Sequence, residues 1–381
     1  MPTRVVIAGG GTGGHLFPAI ALARELEKSV MDIEISFVGS KQGLESKIIP
    51  REGWNLKTIF TAGLMGKKGL NRWVSLSKLP VGILQSVCFL VQKKPDLVVG
   101  VGGYASGPLA LSAWMLKIPI LIHEQNSIPG MTNRWLGKIA DKVAVSFKDS
   151  ERHFPAGKVV ETGNMIREEF CVPREQATQK RTDKFCIFVM GGSQGAHSIN
   201  AAMMEALESL LEEKDRIHII HQTGTADFQA VKQSYDDFGF SADVRPFFEN
   251  IEKPYREASL VISRAGATTL AEVTACGKVS ILIPFPYAAH NHQEKNARIL
   301  ESANAAEMIL DQELTGQQLA QSIQRALSDE QRLETMEANS YRLGNREATK
   351  NVRDLCLELM KTTQNQMRND NASKRHELSC F

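Results

Sequence analysis

VVIAGGGTGGHLFPAIALARELE, residues 5–27, sets an apolar run, a glycine-rich turn and a helix-period segment end to end, and FCIFVMGGSQGAHSINAAMMEALESLL, residues 185–211, sets the same three in the same order. Each reads as the opening of an α/β unit. The run is apolar at nearly every position, as a strand buried on both faces must be, and glycine lets the chain turn from strand into helix without a Cβ in the way. Two such openings in 381 residues, at about 100–200 residues per domain, predict two doubly wound domains in tandem. Further strands are expected at Ile33–Gly39, Asp96–Gly100, Pro119–His123, Lys142–Ser146, Arg216–His221, Leu260–Ser263 and Val279–Pro284. The fold class is α/β, with Rossmann-like domains over 1–164 and 165–344, a boundary near Gly163–Glu168, and a polar, aperiodic tail over 362–381 read as disordered.

Hydrophobic residues make up 43% of the chain, enough for a core in each domain. Forty-five Lys and Arg against 43 Asp and Glu leave +2, so no global basic field marks a nucleic-acid binder. The six cysteines, Cys88, Cys171, Cys186, Cys276, Cys356 and Cys380, form no CxxC pair, which fits a reducing compartment. The chain enters its first strand at once, leaving no room for a secretory signal. Its most apolar stretch, Leu79–Val91, is broken by Gly82, Gln85 and Ser86 and is shorter than the ~20 residues of a membrane span.

Ligands of open parallel sheets sit beyond the carboxyl ends of the strands, where helix N-termini present unpaired N–H groups and partial positive charge. Four glycine loops are placed for this: Gly9–His15, Gly102–Pro108 (GGYASGP), Gly191–Ala196 (GGSQGA) and Ser263–Thr269 (SRAGATT). Any one is also an ordinary tight turn; four, spread over two domains, favour a phosphate-bearing ligand. Gly9, Gly11 and Gly14 satisfy GxGxxG, but the second strand ends Phe37-Val38-Gly39-Ser40-Lys41 without the carboxylate that holds a dinucleotide's ribose. GxxxxGK[ST] is absent, which removes the P-loop NTPases. Asp-x-Asp is absent too, so no metal and no cofactor is expected, and helix N-termini with basic groups would stabilise a departing diphosphate.

Glu272 lies a turn into the helix after the fourth loop, where a carboxylate accepts both hydroxyls of a ribose diol while the helix start takes a diphosphate. Thr269-x-x-Glu272 is equally the spacing of a capping box, and the two readings stand level. Arg264 either braces a phosphate or faces solvent. His15 closes the first loop and opens a helix. Because a helix N-terminus disfavours imidazolium, its ring is either a proton acceptor near neutral pH or an ordinary residue of the helix start. His123-Glu124-Gln125-Asn126 follows a strand directly and reads as a hydrogen-bonding cluster. Gln293 and Asn296 follow a His290-Asn291-His292 turn with no third metal ligand evident.

Between Gly53 and Pro95 stand Lys57, Lys67, Lys68, Arg72, Lys78, Lys93 and Lys94 and no acidic residue. Trp73, Leu79, Leu84 and Phe89 are interleaved with them, and Trp114 follows. Such a strip suits an anionic lipid surface, each basic residue being worth about 1 kcal/mol there. A core helix with a solvated basic face is the alternative, and RNA binding a third reading that no stacking platform supports.

In order, GGGTGGH (9–15), GGYASGP (102–108), HEQNSIPG (123–130), GGSQGA (191–196) and SRAGA (263–267) resemble the MurG family of bacterial peptidoglycan N-acetylglucosaminyltransferases, from the N-terminus to about residue 360. The resemblance implies the two-domain GT-B fold with a cleft between the domains, a helix near 345–361 rejoining the first. It implies UDP-N-acetylglucosamine on the C-terminal domain and lipid I on the N-terminal one. The reaction implied is inverting transfer to the 4-hydroxyl of N-acetylmuramic acid, giving lipid II, by a peripheral protein on the cytoplasmic face of the plasma membrane. Other cell-wall synthesis proteins are candidate partners, and nucleic acid is not. Carried over by motif, Glu272 would hold the ribose, and Ser193 with Gly266, Ala267, Thr268, Thr269 and Leu270 the diphosphate, beside Arg264. Phe248, where the family usually has an aliphatic residue, would lie by the uracil, and Gln293 would contact the sugar. Thr12, Gly13, Gly14, Asn126 and Arg167 would complete the cleft, with His15 the candidate general base. Tyr104, Ser106, Trp73, Lys67 and Lys68 fall on the acceptor and membrane side. At Gly163-Asn164-Met165-Ile166-Arg167 the chain lacks the proline that usually follows the asparagine. The alternatives are a UDP-N-acetylglucosamine 2-epimerase, which shares fold and nucleotide, and a binding protein without turnover.

Overall fold

The computed structural model describes residues 2–41, 43–61, 70–174 and 184–362, except for the side chains of 70–78. The chain divides into unit 1, which runs to Met165 and resumes at Glu347, and unit 2, Ile166–Arg346.

Unit 1 is built on seven parallel strands: β1 (Thr3–Ala8), β2 (Ile33–Gly39), β3 (Asn55–Thr58), β4 (Leu97–Gly100), β5 (Ile120–Glu124), β6 (Lys142–Val145) and β7 (Val159–Glu161), in the order β3-β2-β1-β4-β5-β6-β7. Alternation along β1 feeds two cores. Val5 and Ile7 join the side chains of helix Gly13–Ser29 and of the helix over 348–362, while Val6 and Ala8 face helices Leu70–Lys93, Ser106–Met115 and Met131–Ile139. The last helix reaches Thr362, where the expected tail begins. Residues 363–381, with the rest of that expectation, lie outside the described residues.

Unit 2 repeats the plan with six parallel strands: β8 (Phe185–Met190), β9 (Ile217–Gln222), β10 (Ser241–Arg245), β11 (Leu260–Ser263), β12 (Val279–Leu282) and β13 (Ala306–Met308), in the order β10-β9-β8-β11-β12-β13. Ile187 and Val189 pack on one face, and Cys186, Phe188 and Met190 on the other, with Phe170 and Tyr255. Strand order therefore reverses between β1 and β4 and between β8 and β11, the switch points where α/β sheets open for ligands.

Four strands go unannounced in the sequence, β3, β7, β10 and β13, and they are the four sheet edges. An edge strand pairs on one side only and has no need of a continuous apolar run. Asn55, Lys57 and Thr58 of β3 are exposed.

Candidate functional site

In unit 1 the first and second glycine loops meet beyond β1 and β4. A Cβ on Gly103 would stand 2.5 Å from the Gly10 carbonyl oxygen, and one on Gly102 2.7 Å from Nδ1 of His15, so the imidazole lies directly over Gly102. Both glycines have positive φ, 96° at Gly102 and 81° at Gly103, which a side chain would strain. The helix begins at Gly13 with Thr12 as its N-cap, placing half-buried His15 in the first turn, where the positive end of the helix dipole disfavours a charged ring. Thr12 and Gly14 are exposed beside it. His123, at the end of β5, is fully buried with Nε2 3.2 Å from the Gly163 carbonyl oxygen. Burial, and secondarily the nearby His15, drops its pKa to about 4, so it stays neutral.

Glu124 anchors the following loop. Its carboxylate accepts from the Asn126 N–H at 2.9 Å, Asn133 Nδ2 at 2.8 Å and the Gly130 N–H at 3.3 Å, while burial pushes its carboxyl up. Half-buried Asn126 is thereby fixed. Ser106 is fully buried, its hydroxyl 2.7 Å from the Gly102 carbonyl and 3.0 Å from that of Ala8, so it staples the loop from inside; Tyr104 next to it is 53% exposed.

In unit 2 the loops after β8 and β11 flank the switch point. The first interlocks with the turn after β9: a Cβ on Gly195 would stand 2.0 Å from the Thr223 carbonyl oxygen and one on Gly224 2.1 Å from that of Gln194. A buried chain of hydrogen bonds holds this lock. Asn200 Nδ2 donates to Thr223 O at 2.9 Å and to Asp227 at 2.7 Å, which turns its Oδ1 toward His221 Nε2 at 3.0 Å. Nε2 must therefore carry the proton, and Nδ1 accepts from the Tyr235 hydroxyl at 2.8 Å. Burial lowers the His221 pKa to about 3, keeping it neutral. Ser193 sits half-buried in the loop so held.

The helix after β11 runs Ala267–Ala275 with Gly266 as N-cap, and this removes the capping-box reading, whose two positions fall on Gly266 and Thr269. The side chains of Ala267, Thr268 and Leu270 are buried, so this turn offers a ligand its backbone N–H groups and Thr269. Glu272, on the second turn, is buried with Oε2 accepting from the Tyr255 hydroxyl at 3.3 Å. Burial raises its carboxyl to about 7, against the opposing pull of the Arg167 charge and of that hydrogen bond. Arg167 is half-buried, 4.9 Å over the Phe170 ring. Arg264 neither faces solvent nor extends outward: it pairs with Asp311 and donates to Ser198 Oγ at 2.9 Å, Ile283 O at 3.2 Å and Pro284 O at 3.3 Å, tying together the ends of β11, β12 and β13. Phe248 places its ring in the core against Phe188 and donates its backbone N–H to Gln222 Oε1 at 2.9 Å. Gln293 Oε1 accepts from the Phe285 N–H at 3.0 Å, after two residues held left-handed, His290 and Asn291 at φ 54° and 56°. Among the described residues no three His, Cys, Asp or Glu are grouped to hold a metal ion.

Lys67 and Lys68 lie outside the described residues, and Trp73 falls within helix Leu70–Lys93 where only the backbone is described. The three helices covering the Val6 face of unit 1 nonetheless carry exposed apolar side chains: Leu79, Val81, Leu84 and Val91 on the first, Trp114 and Met115 on the second, Met131 and Trp135 on the third. Lys138 Nζ stands 4.3 Å over the Trp135 ring. No described helix is long and apolar enough to cross a membrane.

Residues 5–145 match the glycosyltransferase family 28 N-terminal domain and residues 186–355 its C-terminal domain. The chain is 46% identical, over 94% of both chains, to a Myxococcus xanthus protein named UDP-N-acetylglucosamine–N-acetylmuramyl-(pentapeptide) pyrophosphoryl-undecaprenol N-acetylglucosamine transferase. Among solved structures it resembles Acinetobacter baumannii MurG, with a TM-score of 0.74 and 31% identity over 94% of this chain and 100% of that one. A Neisseria meningitidis UDP-GlcNAc 2-epimerase bound to UDP-GlcNAc shares the fold at TM-score 0.65 and 13% identity, over 94% of this chain and 100% of that one.

Proposed function

The chain belongs to glycosyltransferase family 28, and on that premise we propose its function: it transfers N-acetylglucosamine from UDP-N-acetylglucosamine to N-acetylmuramyl-(pentapeptide) pyrophosphoryl-undecaprenol, making lipid II from lipid I. The observation that carries this reading is the 46% identity, across 94% of each chain, to the transferase of that name. The epimerases share architecture alone, at 13% identity.

Unit 2 takes the donor. The first helical turn after Gly266 and the loop around Ser193 receive the diphosphate through N–H groups and the helix dipole. Glu272, free of a capping role, accepts the ribose hydroxyls, and Arg167 supports its ionised form. With Oε1 occupied by Phe285, Gln293 turns its amide N–H groups to the sugar. Phe248 meets the uracil through its backbone carbonyl, since its ring belongs to the core and its N–H is donated to Gln222. Arg264 serves by holding these loops in register.

Unit 1 takes the acceptor beside Tyr104, and its Thr12, Gly13, Gly14 and Asn126 contact UDP-N-acetylglucosamine. His15, in the first turn of its helix, removes the proton of the 4-hydroxyl. The oxygen attacks the anomeric carbon, the bond from that carbon to UDP breaks, and the configuration inverts. The apolar outer faces of three helices, with Lys138 and the basic strip, rest the protein on the anionic cytoplasmic face of the plasma membrane.

The test is UDP release from UDP-N-acetylglucosamine with and without a short-chain lipid I analogue, in chelator. Release that requires the acceptor and survives chelation supports the reading. Conversion to UDP and N-acetylmannosamine without acceptor would replace it with the epimerase.

A further inference from the structure

We propose that Glu45 is a positioning residue for the reaction: its carboxylate is the fixed point on which the first glycine loop is built and from which His15 is presented. This rests on the reading of that loop given under Proposed function. Glu45 opens the short helix Glu45–Arg51, yet its side chain turns inward and is 1% exposed. Oε2 accepts from the Gly11 N–H at 2.8 Å, while Oε1 accepts from both the Ser40 N–H and the Ser40 hydroxyl at 2.8 Å. Three glycines enclose the carboxyl group. A Cβ on Gly10 would stand 2.3 Å from its carbon, one on Gly39 2.5 Å from Cγ, and one on Gly43 2.0 Å from Oε2.

The ends of β1 and β2 and the start of the short helix therefore close on one group. Gly10 and Gly11, at φ +149° and +89°, hold the turn that leads into Thr12 and the helix bearing His15. Only an acceptor without protons of its own can serve these donors together. The amide of glutamine must turn an N–H against either Gly11 or Ser40, setting donor against donor. The arrangement also selects among ligands. The Gly11 N–H is already taken and a carboxylate lies beneath it, so this part of the loop turns an anion away.

The experiment compares wild type with Glu45→Gln in the full-length chain. Three readouts are taken: amide hydrogen exchange of residues 9–15, kcat with the lipid I analogue, and UDP affinity, which reports on unit 2. Loop exchange is expected to quicken at least about 10-fold while β1 and unit 2 keep their rates. With this, kcat is expected to fall about 10- to 100-fold, as misplacement by an ångström does, and UDP affinity to stay within about two-fold. Wild-type loop exchange in a folded Glu45→Gln protein overturns the proposal. Faster exchange with kcat within about three-fold of wild type upholds the anchoring and overturns instead the assignment of chemistry to this loop. Should Glu45→Gln fail to fold, Ser40→Ala removes one of the three bonds, with the same readouts and an expected loss of kcat of about 2- to 5-fold. Unchanged exchange and kcat in Ser40→Ala then overturn the proposal.

Discussion

Replacing Glu272 by glutamine is expected to weaken the protein's hold on the donor and to raise its stability relative to wild type as pH rises, by an amount that can be calculated. Burial lifts the Glu272 carboxyl from an ordinary 4.5 to about 7. The folded protein therefore binds a proton more tightly than the unfolded chain, and stability falls as pH rises from about 4.5 to 7, then stays level. At about 1.4 kcal/mol per pKa unit the full cost is about 3 kcal/mol, reached near pH 8; at pH 5 it is about 1 kcal/mol and at pH 4 it vanishes. Glu272→Gln keeps an acceptor for the Tyr255 hydroxyl and never ionises. Its stability relative to wild type should thus climb by about 2 kcal/mol between pH 5 and pH 8. Any fixed cost of the buried amide displaces this curve without changing its slope, and all other titrating groups cancel in the difference. Urea unfolding of both proteins at pH 5, 6, 7 and 8 measures it, with UDP affinity determined alongside. The ribose contact calls for the ionised form, so wild-type affinity relative to the variant's should rise through pH 7, the titration of UDP's own phosphate cancelling in the ratio. A stability difference equal at pH 5 and pH 8 would refute the assignment of a raised carboxyl to Glu272.

Substituting His15 by alanine should lower kcat at least about 100-fold while UDP affinity stays within about two-fold, and turnover within a few-fold of wild type would remove it as the base. Binding to anionic vesicles should weaken as salt rises and weaken further in Leu84→Glu, measured by co-sedimentation; neutral vesicles binding equally well would argue against the charged strip. Val352→Ala, in the helix that closes one face of unit 1, should cost about 2 kcal/mol by denaturant midpoint, and an unchanged midpoint would mean that the helix adds little to that core.

What the sequence made legible was whatever is written locally. Every interior strand of both sheets announces itself as a mainly apolar run, because a strand flanked by neighbours and covered on both faces has few polar positions to spare. The edges β3, β7, β10 and β13 lack that demand and pass for loops. The same division holds around the site. The glycine loops and His15 are contiguous in sequence and were visible. Glu45 works on Gly11, Arg264 on Asp311 and Tyr255 on Glu272, partners separated by 34, 47 and 17 positions with no spacing rule to link them. The capping-box reading of Glu272 turned on where its helix starts, and fails because the N-cap is Gly266 and not Thr269.

Unit 2 is, in chain order, an insertion. Its two ends lie together, Cys171 Sγ 3.3 Å from the Arg346 carbonyl oxygen, and the chain then re-enters unit 1, where Asn351 reaches the Thr162 carbonyl at 3.3 Å. During synthesis the first sheet leaves the ribosome with the Val5 and Ile7 face only partly covered, because Val352 and Cys356 are encoded beyond residues 166–346. At about 5–20 residues per second that face waits roughly 10–40 s for its lid while the inserted unit is made, and the inserted unit has all of its sequence before unit 1 does. The protein therefore finishes folding in the reverse of the order in which it begins, and the wait is when a chaperone would find it.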